Sequence, residues 1–441
     1  MNRLFGTDGV RGVANEFLTP ELAFALGRAG GHVLAAHGDG RPVVVGRDTR
    51  LSGPMLEAAL CAGICSIGLD VLTLGIIPTP GVAWLTKRLN AAAGVMISAS
   101  HNPIEDNGIK FFASDGCKLS DALEDEIAAH VADGASLARP IGAHVGVIED
   151  RRRAVSTYAE HCWSGGADLR GKTIVIDAAH GAAYDIAPKV FGHLGARVIK
   201  LNCTSNGKKI NVNCGSTDLS KLRERVLANP GSIGIAFDGD ADRALFIDED
   251  GAEVTGDHVL AMRTKDLLSR DELPRRTIVA TVMSNIGLER SLEELGVKLI
   301  RTPVGDRYVL EEMQRGGYRL GGEQSGHIID LHSNTTGDGV ATAVSVASLA
   351  AGDKRLADIA KIMRRHPQVL VNVIVADKTR YETSEPVREA IAHTEVALGK
   401  NGRILVRPSG TEPLIRVMIE GQEEEQIREL AQRVADAIRR V

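Results

Sequence analysis

What this sequence lacks narrows its function before any motif is read. It has only six cysteines in 441 residues, with no Cys-x-x-Cys pair and no paired metal spacing, which argues against a zinc site and a disulfide framework. Cys61 and Cys65 sit one helical turn apart on an apolar face and read as buried small hydrophobes in a reducing cytosol. Positive charge is not in excess: 52 Lys and Arg against 57 Asp and Glu give a formal net charge of −5. No global positive field draws the chain to nucleic acid or to an anionic membrane, so an anionic ligand must be met by local Arg and Lys clusters. No apolar run approaches the roughly 18 residues of a membrane span. Met1–Val10 (MNRLFGTDGV) has no apolar core of the signal-peptide kind. The glycine pairs Gly30–Gly31 and Gly321–Gly322 form no G-x-G-x-x-G fingerprint, so a dinucleotide site is not indicated. Low-complexity tracts are missing too. The expectation is a cytoplasmic chain, monomer or homodimer, with neither nucleic acid nor membrane as partner.

What is present is an ordinary soluble composition, 44% hydrophobic and 25% charged with 3% aromatics and 48 glycines. The length is too great for one core and predicts roughly three or four domains. In the first set of elements, Pro42–Gly46 reads as a strand. Ser52 then caps a helix with Pro54 in its first turn and Gly68 past its end. Val71–Leu74 is a strand, Val82–Leu89 a helix and Val95–Ser98 a third strand. The order recurs with strands at Thr173–Asp177, Arg197–Leu201 and Ile233–Phe237, and again at Thr277–Met283, Val297–Arg301 and Tyr318–Gly321. The expected class is α/β: three similar α/β/α domains around a central cleft, covering 1–147, 148–252 and 253–366. A smaller C-terminal α+β domain, 367–441, has the order β-α-β-β-α.

In each set the third strand runs into a polar cluster: Ser98–Pro103 (SASHNP), Asp238–Arg243 (DGDADR) and Gly322–His327 (GEQSGH). Ligands of open α/β sheets gather beyond the carboxyl ends of strands. Asp238, Asp240 and Asp242 alternate along a segment read as extended, so their carboxylates can converge on one cation, and three hard oxygen ligands suit Mg²⁺. An EF-hand loop is rejected even though Glu249 falls at its twelfth position, because Arg243 occupies the obligatory glycine position and the flanks read as strands. A solvated acidic turn is the plainer alternative, but three acids this close repel without a cation. Ser100 follows a strand, with His101 adjacent and Lys110 ten residues on. Neighbours on a strand point to opposite faces, so Ser100 and His101 need not pair, and no G-x-S-x-G elbow supports Ser-His-Asp hydrolysis. Arg407, Ser409, Gly410 and Thr411 (RPSGT) offer a guanidinium, two hydroxyls and backbone N–H groups for an anion. The alternative there is a plain Ser-Gly turn. Arg11 lies between glycines in Thr7–Gly12, and His180 reads as structural.

Phe5–Gly12, Ser98–Pro103, Asp238–Arg243, Gly322–His327 and Arg407–Pro413, in this order and spread over nearly the whole chain, resemble the motifs of the α-D-phosphohexomutase superfamily. Ile210–Thr217 (INVNCGST), Val304–Val309 (VGDRYV) and Gln324 look most like its bacterial branch acting on glucosamine phosphate. The resemblance implies that Ser100 is a phosphoserine whose phosphate completes an Mg²⁺ site with Asp238, Asp240 and Asp242. Arg243 would neighbour the phosphoryl group, and Lys110, His101 and Arg11 would supply acid/base and charge-stabilising groups. Glu323 and Ser325 would hold sugar hydroxyls with His327 nearby, and Arg407, Ser409, Gly410 and Thr411 the idle phosphate. Ala241 departs from the usual glycine, which is tolerable if the residue sits at negative φ.

The implied chemistry is a phosphoserine relay through a sugar 1,6-bisphosphate, which isomerises a phosphosugar without losing the phosphoryl group to water. A protonated sugar amine would favour an acceptor among Glu323, Gln324 and Asp306, the last beside Arg307. Competing readings are a phosphomanno- or phosphoglucomutase with the same sites, a metal-dependent phosphatase, and a non-catalytic phosphosugar-binding module.

Overall fold

Short β-branched runs, buried along most of their length, form the centres of three of the four sheets, as in Val43–Arg47 (VVVGR) and Thr173–Asp177 (TIVID). The computed structural model describes residues 3–6, 8–35, 40–133, 137–409 and 413–440. It divides into two units, one drawn from Met1–Val282 and Lys298–Lys361, the other from Met283–Val297 and Ile362–Val441.

The first unit contains three sheets with a common plan. In the first, Val43–Arg47 lies between Val71–Ile76 and Ala93–Ile97 and is parallel to both. In the second, Thr173–Asp177 lies between Arg197–Leu201 and Ile233–Phe237. In the third, Thr277–Thr281 lies between Lys298–Thr302 and Leu320–Gly322. The repeated order predicted from the sequence is therefore present, with strand bounds shifted by a residue or two.

Each sheet also carries a fourth strand that the sequence reading missed. Asp106–Ala113, Ala244–Ile247 and Ile328–Asp330 run antiparallel beside the third strand of their sheets. The three polar clusters are thus the connections of three equivalent strand pairs. The first sheet gains two edges, Val10–Val13 and Ile148–Asp150, the latter lying beyond the expected division at 147/148 but pairing with Val71–Thr73.

Helices Pro20–Ala35 and Gly53–Cys65 cover one face of the first sheet. They approach closely because a Cβ at Gly27 would lie 2.3 Å from the Leu60 carbonyl oxygen, and one at Gly63 2.2 Å from that of Phe24. Ser52 occupies the N-cap position, as expected, but its hydroxyl caps nothing. It accepts instead from the Asn107 amide at 2.9 Å. All six cysteines are free thiols. Cys61 and Cys65 are buried on Gly53–Cys65, and burial pushes Cys61 up to about 12, as for an inert core thiol. Among the described residues no helix is long and apolar enough to cross a membrane.

The second unit is an antiparallel sheet with Leu414–Glu420 between Gln368–Ile374 and Arg403–Pro408. Helices Glu385–Leu398 and Glu424–Arg439 pack on it, with Ile427, Leu430, Val434 and Ile438 facing Val373, Ile415, Val417 and Ile419. The expected β-α-β-β-α order holds. Helix Ile286–Glu294 also belongs to this unit, although its place in the sequence assigns it to the third set. Its attachment is polar: the fully buried Glu420 accepts from the Asn285 amide at 3.1 Å, the Ile286 N–H at 3.1 Å and Arg403 Nε at 2.6 Å.

Candidate active site

The first two connections meet through their side chains. Ser100 is buried, and its hydroxyl donates to Asp238 Oδ2 at 2.5 Å. The residue is not on the strand: it sits in a turn at φ 51°. That corrects the expectation that Ser100 and His101 point apart, since the turn brings His101 Nδ1 to 3.3 Å from Ser100 Oγ. Desolvation, and then the Arg243 and Arg11 guanidiniums, lower His101 to about 4, so the imidazole is neutral at pH 7.

The Asp238–Arg243 segment is likewise a tight turn and not extended, with Ala241 at φ 55°. The condition set for alanine there, a negative φ, is not met; the methyl group is carried in the left-handed region and is fully buried. The turn still gathers the carboxylates. Asp238, Asp240 and Asp242 are buried, and each offers an oxygen within 4.8 Å of the others. Asp240 Oδ2 accepts from Thr79 Oγ1 at 2.5 Å and Lys110 Nζ at 3.1 Å. Asp240 Oδ1 and Asp242 Oδ1 are buried without any hydrogen-bond partner. Burial, and then Asp242 and Asp240, push the Asp238 pKa well up. Two orphaned carboxylate oxygens, an all-oxygen donor set and a carboxyl that resists ionisation are what a hard divalent cation would relieve. The three aspartates fit such an ion.

Around the triad the charges alternate in a ring through all three sheets. Lys110 lies 3.1 Å from Asp240 and 3.4 Å from Asp8. Asp8 also pairs with Arg11 and, at 2.9 Å, with Lys118. Lys118 reaches Asp306 at 2.5 Å, Asp306 lies 3.5 Å from His327 Nε2, and His327 Nδ1 lies 3.6 Å from Asp242. Burial opposes the charge on Lys110, but Asp240 and Asp8 outweigh it and raise its pKa, so it is an ammonium at neutral pH. Burial likewise opposes the charge on Asp306, but Lys118 and His327 hold its pKa down. Arg243 Nε sits 3.8 Å from Asp242 Oδ1.

In the third connection Glu323 Oε1 accepts from the Gly305 N–H at 3.1 Å and Oε2 from the Ser325 hydroxyl at 3.2 Å. The Gly326 carbonyl accepts from the Ala244 N–H at 3.1 Å, which ties this turn to the second sheet next to the triad.

Of the residues singled out from the sequence, Ser100, His101, Lys110, Arg11, Asp238, Asp240, Asp242, Arg243, Asp306, Glu323, Ser325 and His327 all lie in the first unit, in or beside this cluster. Arg407 and Ser409 belong to the second unit, where Arg407 Nη2 lies 3.9 Å from Met283 Sδ. Gly410 and Thr411 lie outside the described residues. Sequence reasoning missed Asp8, Lys118, Thr79 and Arg50. Asp8 stands inside a motif that had been read only for its arginine.

Fold and site together define an α/β enzyme built three times over on one sheet plan, with the Ser100 turn set against a metal-competent carboxylate turn. The chain belongs to the phosphoglucomutase/phosphomannomutase family of phosphohexomutases, which are isomerases and depend on a metal. The models for its α/β/α domains I, II and III match residues 2–138, 157–251 and 255–367, and the C-terminal domain matches 370–437. Relatives that cover the whole chain are the phosphoglucosamine mutases of Symbiobacterium thermophilum (53% identical, 100% of this chain and 99% of the relative) and of a Thermoanaerobacter species (52%, 100% and 99%). Among solved structures, a phosphoglucomutase/phosphomannomutase family protein from Burkholderia thailandensis has the same fold, with TM-score 0.84, 23% identity and coverage of 100% of this chain and 98% of that one. An N-acetylphosphoglucosamine mutase from Aspergillus fumigatus, in complex with GlcNAc-6P and magnesium, superposes with TM-score 0.69 at 17% identity over 99% and 95% of the two chains.

Proposed function

We propose that this protein interconverts glucosamine 6-phosphate and glucosamine 1-phosphate in the cytoplasm, supplying the amino sugar for UDP-N-acetylglucosamine and the bacterial cell wall. The observation that carries the reading is the 2.5 Å contact between the Ser100 hydroxyl and Asp238 at the edge of the acidic triad. It is supported by roughly half-identical phosphoglucosamine mutases over the full length.

In this reading Ser100 carries a phosphoryl group. Asp238, Asp240 and Asp242, with the Ser100 phosphate, would hold Mg²⁺, which offsets charge on the transferring oxygens. A hydroxyl of the sugar phosphate attacks the Ser100 phosphorus, the bond from phosphorus to serine oxygen breaks, and a 1,6-bisphosphate forms. After it reorients, the freed Ser100 oxygen attacks the other phosphate and the isomer leaves. Lys110, fully protonated, gives a proton or stabilises an oxyanion and cannot serve as base in the resting enzyme. His101 is neutral and 3.3 Å from Ser100 Oγ, while the serine hydroxyl donates to Asp238 at 2.5 Å, so both stand within reach of the serine proton. Arg11 and Arg243 add fixed positive charge, while Glu323, Ser325 and His327 receive the sugar. Arg407 and Ser409, with Gly410 and Thr411, would bind the idle phosphate.

For the substrate amine, Asp306 is already engaged by Lys118. Glu323 has only neutral donors and makes no ion pair among the described residues, so it is the better acceptor.

The test is turnover of glucosamine 6-phosphate by wild type and Ser100→Ala with Mg²⁺ and bisphosphate present. A loss of about three orders of magnitude or more is expected, because the covalent relay has no substitute. Comparable turnover in the mutant, or release of inorganic phosphate in place of isomerised sugar, would remove the mutase reading.

A further inference from the structure

We propose that Arg50 and Asn211 are positioning residues which share the Ser100 carbonyl oxygen and thereby fix the serine hydroxyl against Asp238; this rests on the phosphoserine role proposed for Ser100. The Arg50 side chain and its partner Asp48 are both completely enclosed. Arg50 Nε donates to Asp48 Oδ2 at 3.0 Å. Nη1 donates to the carbonyls of Pro103 at 2.5 Å and Asp106 at 2.9 Å, and Nη2 to those of Ser100 and Asn102, both at 2.9 Å. A guanidinium has five N–H donors. All five are used, three of them on carbonyls of the connection that carries Ser100 and one on Asp106, the first residue of the strand that follows. An ammonium, with three donors on a single atom, cannot span that set.

The other main-chain group of Ser100 is held by the same pair. Its N–H donates to Ser98 Oγ at 2.9 Å, and the Ser98 hydroxyl donates to Asp48 Oδ2 at 2.6 Å. Asp48 also accepts the Arg50 N–H at 2.9 Å. This grip explains how a serine is kept at φ 51°, a conformation that an L-residue holds only where its surroundings impose it.

Asn211 completes the clamp from the second sheet's side. Its Nδ2 donates to the Ser100 carbonyl at 2.8 Å and to Asn102 at 3.3 Å, while its own N–H donates to Ala179 at 3.0 Å. Gly239, inside the acidic turn, lies against the same atoms: a Cβ there would come within 2.5 Å of the Ser100 oxygen and 3.0 Å of Asn211 Nδ2. The Ser100 carbonyl is therefore where the nucleophile turn and the carboxylate turn are registered. Arg50 fixes it from one side and Asn211 from the other. Neither side chain contacts the triad carboxylates, so each acts through Ser100.

The test uses full-length wild type, Arg50→Lys and Asn211→Ala. It reads thermal unfolding, kcat and KM for glucosamine 6-phosphate with Mg²⁺, and the rate at which glucose 1,6-bisphosphate phosphorylates Ser100, followed by intact mass. A displacement of about 1 Å at a reacting atom costs on the order of 100-fold. The expected result for Asn211→Ala is a near-wild-type unfolding temperature and KM within about threefold, with kcat and the phosphorylation rate both down at least about tenfold. Arg50→Lys should lose more. If it does not fold, Asn211→Ala decides alone. A folded Asn211→Ala with kcat within about twofold of wild type overturns the inference, as does an Asn211→Ala that merely unfolds or changes only KM. A wild type that takes no phosphate on Ser100 sinks the phosphoserine reading and this inference together; a phosphorylated wild type matched by an equally fast variant sinks the inference alone.

Discussion

Protons should leave the acidic cluster when a divalent cation enters it. Three carboxylates, Asp238, Asp240 and Asp242, face Lys110 at 3.1 Å from Asp240, and Arg243 and His327 at 3.8 Å and 3.6 Å from Asp242. Asp238, raised by burial and then by Asp242 and Asp240, is the carboxyl among the three that favours its protonated form. Metal ligands must be deprotonated, so the dephosphorylated, chelator-stripped protein should release about one proton per Mg²⁺ bound. Below the raised Asp238 pKa the proton and the cation compete, and affinity should fall about tenfold per pH unit. Stability without metal follows from the same shift. Since the folded pKa of Asp238 lies above its unfolded value, the proton stabilises the fold at low pH, and that contribution is lost as pH rises through the folded pKa. Saturating cation, at about 100 times its dissociation constant, should add about 2.7 kcal/mol. Calorimetric titrations in two buffers of different ionisation enthalpy count the protons directly, and Asp238→Asn should abolish both the release and most of the binding. Binding that releases no proton at any pH at which the protein stays folded would refute the raised Asp238 on which this rests.

Three substitutions test other parts of the site. Lys118→Met removes the ammonium between Asp8 and Asp306, whose side chains are 28% and 19% exposed. Each carboxylate keeps another partner, so the cost should be about 2 kcal/mol and not the full 3–5 of a broken buried pair. Urea unfolding of the single and double mutants with Asp306→Asn should recover part of it, and strictly additive losses would show that the pair is uncoupled. Ala241→Gly relieves a left-handed alanine, about 1 kcal/mol, but gives up a buried methyl group, about 0.8, and makes the unfolded chain freer by about 0.5. Its unfolding temperature should therefore barely move, and a shift above about 5 °C would mean the turn is held differently. Glu323→Gln should narrow the preference for glucosamine 6-phosphate over glucose 6-phosphate by about tenfold while Asp306→Asn changes it less, because Asp306 is already bonded to Lys118 whereas the hydrogen bonds to Glu323 come from neutral donors. Side-by-side kcat/KM values would expose the reverse order.

Much of the fold was legible because hydrophobic period and punctuation agreed along the parallel strands. Thr173–Asp177, Arg197–Leu201 and Ile233–Phe237 were bounded to the residue, being apolar or β-branched runs between helix signals. The antiparallel fourth strands were not legible. Asp106–Ala113 (DNGIKFFA) opens on turn residues and carries a lysine in mid-strand, so its pattern is neither alternating nor continuous, yet six of its eight residues are buried. Its lysine is apolar-face material only because Asp240 and Asp8 arrive from elsewhere to pair it. Helix Ile286–Glu294 groups with the second unit, and nothing local to it announces that Glu420, over a hundred residues on, will receive its first N–H.

The site divides along the same line: residue identity could be read, and backbone conformation could not. The Asp-Gly-Asp-Ala-Asp spacing named the carboxylates, but the convergence inferred from strand alternation is produced by a turn, and that turn is imposed from a distance. Ala241 takes its left-handed φ although alanine pays for it, because its carbonyl accepts the Gly339 N–H at 3.1 Å at the start of helix Gly339–Leu349. That approach is possible only because Gly339 has no side chain; a Cβ would lie 2.8 Å from the Ala241 oxygen and 2.6 Å from that of Arg243. Asp238 Oδ1 then accepts the Arg243 N–H at 3.3 Å and closes the turn on itself. The shape of the carboxylate turn is thus set by a glycine almost one hundred residues downstream, just as the shape of the Ser100 turn is set by an arginine fifty residues upstream. A motif specifies which groups react, while its geometry is written in residues that the motif does not contain.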